Sequence, residues 1–395
     1  MAICTFRNEQ KRIAMQLNTG LLSIFNEVDD PREAKHSSRH LLSDILMLTI
    51  LAVICGADNW VAVEKFGYSK IDWLKTFLQL PNGIPSHDTI GSLFSRLNSK
   101  QFQECFLRWI NELFHFSDGE IIAIDGKTLR HSYDTASNRP AIHMVNAWAC
   151  KNRLVLGQVK TDAKSNEVTA IPELLKRLDL VGSVVTIDAM GCHKKIAKQI
   201  INQGGEYVFN LKGNQTTLHK DVSLFLESYV DKQRCQKSVI NKIEIIDGEH
   251  GRIETRRYWV TEDITWLEQY DAWTGLKSIG MVEYECIVKM TGERTIERRF
   301  FINSIPADVK RFSEAVRHHW GIENSLHWCL DVGFDEDNSR VRKDNAPENF
   351  AVIRHIALNL LKQETTAKTG IKNKRLMAGW DHAYLAKLLA GNINA

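Results

Sequence analysis

No CxxC pair occurs in the 395 residues. The eight cysteines (Cys4, Cys55, Cys105, Cys150, Cys192, Cys235, Cys286 and Cys329) are scattered singly. Neither a zinc knuckle nor a secreted disulfide framework is indicated, and a reducing cytoplasm is the expected setting. The most apolar run, Ile45 to Cys55, is too short to cross a bilayer and predicts a buried helix, and the opening MAICTFRNEQKR has no apolar segment of the signal-peptide kind. No membrane association is expected. An excess of one charge is also missing: 51 Lys+Arg against 48 Asp+Glu leave a net +3, too little to argue for a polyanionic partner by itself. No Gly-x-x-x-x-Gly-Lys-Ser/Thr loop suggests an ATP step, and no Ser or Tyr nucleophile with a local base is evident. Repeats and low-complexity tracts are lacking as well. What remains, 44% hydrophobic and 25% charged, is the composition of a globular chain of two or more domains.

The hydrophobic periodicity changes along the chain. From Leu41 to about Phe116 apolar residues recur at helical spacing (Leu42, Ile45, Leu46, Ile50, Val53; later Ile90, Leu93, Phe94, Leu97). Within this stretch the breaker cluster Pro81-Asn82-Gly83-Ile84-Pro85 precedes Ser86, a plausible N-cap, and a helix over 87–97. Helix, short turn, helix is the shape of a helix-turn-helix, although an ordinary connector between packed helices has the same shape and is favoured. From Glu120 onward the pattern predicts strands at 121–125, 142–150 and 153–161, a helix over 167–178 that Pro172 should break or delay, a strand at 183–187, a helix over 193–203, a strand at 207–211 and a helix over about 215–229. This β-β-β-α-β-α-β-α order is that of a ribonuclease-H-like α/β domain. Alternation returns at 243–246, 253–260, 278–288 and 295–302, a β-rich insertion; helical spacing resumes over about 307–329, 348–362 and 381–389.

Two carboxylates stand at the ends of apolar runs: Asp125 after Ile121-Ile122-Ala123-Ile124, and Asp188 after Val184-Val185-Thr186-Ile187. Such positions face the ligand-binding edge of an α/β sheet. Each could be a turn residue, Asp125-Gly126 above all; as a matched pair they suggest a shared divalent metal. Glu323, in RHHWGIENSLHW, is the best third carboxylate, since on a helix His319, Trp320, Glu323 and His327 form one polar and aromatic stripe. A metal held by His319, Glu323 and His327 alone is excluded, because those positions span roughly 12 Å of helix.

The segments AIDGKTLR (123–130), TIDAMGCHKKIAKQIINQGGEYVFNLKGNQ (186–215), HGRIETRRYWV (250–260), RHHWGIENSLHWCLDVGFDEDNSRVR (317–342) and NAPENFAVIRHIALNLL (345–361) resemble the H-repeat-associated transposases of Rhs elements, bacterial insertion-sequence transposases of the DDE type. The resemblance runs from about Glu27 to Leu361. It implies a ribonuclease-H-like catalytic domain in which Asp125, Asp188 and Glu323 are catalytic and hold two magnesium ions, with manganese an alternative. The implied organisation is a helical N-terminal domain (1–116) that could bind DNA, a catalytic domain (117–237 and 304–362), a β-rich insertion (238–303) and a helical tail (363–395). The insertion accounts for the long interval from Asp188 to Glu323. In the wider superfamily an Arg lies four residues before the Glu, a Lys seven after and a Tyr seven before. Here those places hold His319, Leu330 and Val316, with Arg317, Arg340 and Arg342 as possible substitutes.

The expected activity is metal-dependent DNA cleavage and strand transfer at the ends of the element, by in-line displacement. Its partner is double-stranded DNA, element ends and target, bound by a homodimer. An inactive DNA-binding remnant and a magnesium-dependent nuclease without transposition are the alternatives. Phosphate contacts are expected from Lys212, Arg252, Arg256, Arg257, Arg317, Arg340 and Arg342, with further basic residues at Arg294, Arg298, Arg299, Lys343, Lys372, Lys374 and Arg375. For any single Arg a solvated strand face is the commoner outcome. Trp320 could stack on an unpaired base, though a core Trp is the commoner outcome.

Overall fold

The computed structural model describes residues 21–32, 39–113, 119–133, 140–161, 167–232, 240–249 and 251–390. Both ends of the predicted helical N-terminal stretch (1–20 and 114–116), its residues 33–38, the edge of the insertion at 238–239 and the last residues of the tail (391–395) lie outside them.

Among the described residues, only helices precede the first strand: α1 (Leu21–Phe25), α2 (Leu42–Ile54), α3 (Trp60–Ser69), the short α4 (Ile71–Leu74), α5 (His87–Arg96) and α6 (Ser99–Leu113). Every residue of α2 from Asp44 to Ile54 is buried, as its apolar run predicts. The one carboxylate among them, Asp44, accepts from the amides of Gln79 (3.3 Å) and Leu80 (2.7 Å), which ties down the chain entering the Pro81–Pro85 turn. Ser86 caps α5 as expected, its hydroxyl accepting from Thr89 N at 3.3 Å.

The strands form one sheet in the order β3-β2-β1-β4-β5-β9-β8-β7-β6. β1 (Ile121–Thr128), β2 (His143–Ala149) and β3 (Leu154–Lys160) are an antiparallel meander. α7 (Glu167–Leu175) leads to β4 (Val184–Ile187), and α8 (Lys194–Asn202) to β5 (Glu206–Leu211); β4 runs parallel to β1, and β5 to β4. All four residues of β4 are buried, which is why the run reads as uninterrupted apolar sequence. After α9 (Thr216–Lys232) come β6 (Asn241–Asp247), β7 (Arg252–Thr261), β8 (Ser278–Val288) and β9 (Arg294–Asn303), all antiparallel.

The 241–303 strands, expected as a β-rich insertion, join the same sheet: β9 pairs antiparallel with β5, Phe209 opposite Ile302, so they widen it. Three expectations need correction. Strand β1 does not stop at Asp125 but continues to Thr128, because β2 supplies partners as far as His143. Pro172 neither breaks nor delays α7. It lies inside the helix, where its own ladder bond is lost, and its carbonyl accepts from Lys176 N (3.1 Å) and Gln199 Nε2 (2.9 Å). The long helix predicted over 307–329 is α10 (Val309–His319), a five-residue π turn (Glu323–His327) and α11 (Trp328–Phe334).

The chain then forms α12 (Ala346–Gln363), α13 (Ile371–Trp380), which periodicity missed, and α14 (His382–Ala390). α12 is buried on every side from Ala346 to Leu361 and packs on α2, α5, α6, β3 and α13. Two of its asparagines bond to backbone. Asn359 exchanges bonds with Val155 N (2.8 Å) and O (3.0 Å), standing in for a strand beside β3, and Asn349 donates to the carbonyls of Phe94 (2.8 Å) and Leu97 (3.0 Å). Through α12 the first helices and the sheet share one continuous apolar core.

Candidate active site

Ile124 and Ile187 are the last partners of the parallel β1/β4 ladder, and Asp125 and Asp188 are the next residue on each strand. Adjacent strands are about 4.8 Å apart, so register alone brings residues 63 apart in sequence side by side. Beyond this point the strands differ. β1 continues, while Asp188 leaves the sheet and caps a turn of 3-10 helix (Ala189–Gly191), accepting from Met190 N at 2.9 Å.

Glu323 arrives from α10, which begins at Asp308, an N-cap accepting from Lys310 N (2.9 Å) and Arg311 N (3.2 Å), and packs against β1, β4 and β7. The π turn, in which Trp328 N bonds to Glu323 O, inserts one extra residue at the point where Glu323 projects. Such bulges re-aim side chains and recur at functional sites. Asp125, Asp188 and Glu323 thus line one cavity of about 300 Å³, together with Asn210, Lys212, Arg299, His319 and Trp320.

The electrostatics of this cavity are unbalanced. Burial, then repulsion from Asp188, Glu167 and Glu323, pushes the Asp125 carboxyl up to about 7, against one opposing bond from Gly126 N. Asp188 is also raised, chiefly by burial and then Glu167, with Met190 N, Gly191 N and Lys212 acting in the other direction. Both histidines of the stripe are held neutral, their pKa lowered to about 4 by burial and then by a nearby cation, Arg299 for His319 and Lys127 for His327. His319 Nδ1 lies 3.1 Å from Thr186 Oγ1, and His327 Nδ1 3.5 Å from Asp125 Oδ2, with its Nε2 unpaired among the described residues.

Glu167 was missed by the sequence reading. It stands at the start of α7, and its Oε1 lies 2.8 Å from His143 Nε2, while His143 Nδ1 is 2.9 Å from Thr128 Oγ1. The absence of a side chain at Gly126 permits this: a Cβ there would lie 2.1 Å from Glu167 Oε1. No local pattern marks Glu167, because its relation to Asp125 exists only once α7 covers the sheet.

The predicted DNA contacts separate into groups. Lys212, Trp320 and Arg299 line the carboxylate cavity, and Arg299 and Trp320 also line an adjoining cavity of about 260 Å³ with Arg256 and Arg317. The Arg299 guanidinium lies 4.3 Å from the centre of the Trp320 ring, which is 46% exposed, so Trp320 is not a core residue. Arg340 and Arg342 line a different groove, beside α3 and α5, where Arg342 donates to His131 O at 2.9 Å. Arg252 is exposed and lines neither cavity beside the carboxylates. Arg257 is not brought to the site. Neighbours on a strand face opposite sides, and Arg257 pairs with Glu244 (2.6 Å), Glu283 (2.9 Å) and Glu285 (2.8 Å). Lys374 and Arg375 are buried and spend their donors on backbone carbonyls and on Glu364 and Asp58.

The donor set suits a hard divalent cation: acceptor-only carboxylate oxygens, partly desolvated and mutually repelling. Among the described residues no three His, Cys, Asp or Glu side chains are already close enough to hold one ion. The chemistry of the residues fits such a cation. No described helix is long and apolar enough to cross a membrane.

Residues 116–360 match the family model described as Transposase DDE domain, and residues 22–110 the DDE_Tnp_1-associated model. The chain belongs to the DDE transposase family. Its relatives include the "H repeat-associated putative transposase YhhI" of Escherichia coli K12, 44% identical over 89% of this chain and 93% of that one, and E. coli K12 YbfL, 42% identical over 94% and 98%. With these it forms the H repeat-associated group. A Xanthobacter autotrophicus protein encoded in the dhlA 3′ region is 45% identical over 72% of this chain and 94% of that one. A solved piggyBac transposase synaptic complex with hairpin DNA is a distant likeness, with TM-score 0.40 and 11% identity over 93% of this chain and 77% of that one.

Proposed function

We propose that this chain catalyses metal-dependent DNA cleavage and strand transfer at the ends of its own insertion element, with Asp125, Asp188 and Glu323 as the reacting centre. The observation that carries this reading is the convergence of three carboxylates, from β1, β4 and the π turn after α10, on one cavity. The first five strands, in the order 3-2-1-4-5 with β1, β4 and β5 parallel, support a ribonuclease-H-like core made of 117–237 and 304–362. The 238–303 strands extend it, the helices of 1–116 precede it and the 363–395 helices follow it.

Asp125, Asp188 and Glu323 would hold two magnesium ions, or manganese in their place. Bound there, the metal would activate water, and later a DNA 3′-hydroxyl, and stabilise the leaving oxygen. The chain's own residues do the rest. The raised Asp125 and Asp188 carboxylates supply the negative charge that selects a cation. Lys212, at the mouth of β5, and Arg317 beside the adjoining cavity offer donors to phosphate oxygens, as do Arg256 and Arg299 through the donors that their partners Glu254 and Glu297 leave over. Trp320, half exposed and backed by Arg299, offers a stacking face to a base. His319, neutral and bonded to Thr186, adds no positive charge to the cavity wall. Double-stranded DNA is the substrate, and a homodimer would bring two element ends together.

The test is incubation of the purified protein with its flanking genomic DNA and magnesium, followed by mapping of the cut ends and of joined products. Cuts at the element boundaries with strand transfer support the reading. Cutting without joining would indicate a nuclease, and binding without cutting an inactive remnant.

A further inference from the structure

Lys127 lies two residues beyond Asp125 on β1 and so on the same face of that strand. Its side chain is 9% exposed, and its ammonium contacts three groups of the segment that carries Glu323. These are the carbonyl of His327 (3.4 Å), inside the π turn; the Asp331 carboxylate on α11; and Glu336 Oε2 (3.0 Å), just beyond α11. An ammonium has three donors and no acceptor, and this segment takes all three. Glu336, 2% exposed, is shared with Arg354 of α12 at 3.5 Å. Nearby, Arg130 lies 3.2 Å from Asp337, and His131 contacts the Asp337 carbonyl. The β1 extension from Lys127 to His131 is therefore joined by charge to residues 327–337 along its length.

The π turn interrupts the i→i−4 ladder of the helix around it, and the Lys127 contacts reach it and the segment after it from outside. We propose that Lys127 is a positioning residue: through His327 O, Asp331 and Glu336 it fixes the Glu323-bearing turn against the Asp125-bearing strand, and the acidic stretch Asp331–Asp337 is the seat of this clamp. The proposal rests on the reading of Asp125, Asp188 and Glu323 as the reacting centre, and it assigns Lys127 no contact with DNA or metal. It accounts for a Lys held under a cavity of carboxylates yet spent on none of the three that line it.

The experiment compares Lys127→Met and Lys127→Arg with the parent in two readouts: amide hydrogen exchange over 319–334, and the magnesium concentration giving half-maximal cleavage. Lys127→Met is expected to speed exchange in that segment about 10-fold or more and to raise the half-saturating magnesium concentration roughly 10- to 100-fold, the scale on which supporting shells of metal sites act. DNA affinity should stay within about 2-fold, because no phosphate contact is removed. Lys127→Arg, which keeps the charge, should bring both readouts most of the way back. Should Lys127→Met fail to fold, Asp331→Asn, on a carboxylate 32% exposed, leaves the Lys127–Glu336 pair intact and should shift both readouts in the same direction by less. Unchanged exchange and magnesium dependence in Lys127→Met would overturn the proposal, as would equal impairment of the Met and Arg variants. Asp125→Asn cleaving at the parental rate would instead remove the catalytic reading and leave the exchange result standing on its own.

Discussion

Two clusters of charge sit on the same nine-stranded sheet and are built in opposite ways. Where β1 and β4 part, Asp125 and Asp188 gather with Glu323 and Glu167, and the sum is negative charge that burial and mutual repulsion both penalise. On the antiparallel half, Arg257 is surrounded by Glu244, Glu283 and Glu285; Arg294 takes the other oxygen of Glu285 (2.5 Å), and Arg298 that of Glu283 (2.8 Å). That lattice closes on itself. The first cluster is left with an excess of negative charge, while the second has no charge left to offer. A count of arginines on strands therefore overstates how many can meet a phosphate, and the reading proposed above places the reacting centre at the unsatisfied cluster.

The largest expected effect comes from removing one charge from the incomplete cluster. Asp188→Asn should lower cleavage of element-end DNA in magnesium by roughly 10³-fold, the scale of losing a single preorganised electrostatic group. DNA binding should be unchanged or tighter and Tm unchanged or higher, since repulsion is relieved. Parental cleavage rates would show that Asp188 is not part of the centre.

The opposite outcome is expected on the closed lattice. Arg257→Ala leaves Glu283 and Glu285, both buried, without their shared partner, and should cost about 2 kcal/mol of stability, seen as a lower denaturant midpoint, with cleavage of saturating DNA unaffected. Arg257 first, then Arg294, lowers the Glu285 pKa from 4.5. The contribution of this pairing is therefore present above about pH 4.5 and lost as pH falls through the folded value. The variant and parent should converge in acid, and a pH-independent gap would argue against the pairing.

A smaller effect separates the two clusters by pH. Because Asp125 is raised from 3.8 to about 7, the folded protein binds a proton there that the unfolded chain does not, and stability falls as pH rises between those values. A divalent cation must displace that proton. Millimolar magnesium should accordingly raise Tm by about 2–4 °C at pH 8 and by less at pH 6. An equal gain at both pH values would mean that the ion binds elsewhere.

The smallest effect is that of Arg256→Ala. Arg256 faces the opposite side of β7 from Arg257, over the Tyr284 ring at 5.3 Å and beside Arg317 and Trp320. Its loss should reduce the log–log salt slope of DNA binding by about one unit. The same experiment on Arg257→Ala should leave the slope alone, and a shared loss would merge the two clusters again.

How far the sequence could be read depended on how local the signal was. The strands of 121–302 were all visible as apolar or alternating runs, and Ser86 announced the start of α5. Pro172 misled because the helix continues through it, and its carbonyl still accepts from Lys176 N and from Gln199 of α8. The π turn left no mark, since an inserted residue in a ladder changes no composition. Lys127 was legible only as part of AIDGKTLR, and no local pattern pairs it with Asp331 and Glu336 across about two hundred residues.

What the sequence determined by itself was the inventory and its local geometry: buried strands carrying Asp125 and leading to Asp188, a helical segment carrying Glu323, basic strands in the 241–303 region, and membership of a family through long ordered motifs. The tertiary structure decided which of these meet. Pairing of β9 with β5 turned the β-rich stretch into the flank of the carboxylate cavity and delivered Arg299 to it. The alternation of β7 sent Arg256 and Arg257 to opposite faces, and docking of α7 added Glu167. Side-chain direction along a strand is set locally, but the charge it meets belongs to strands and helices distant in sequence, so only the folded chain fixes which charges remain free.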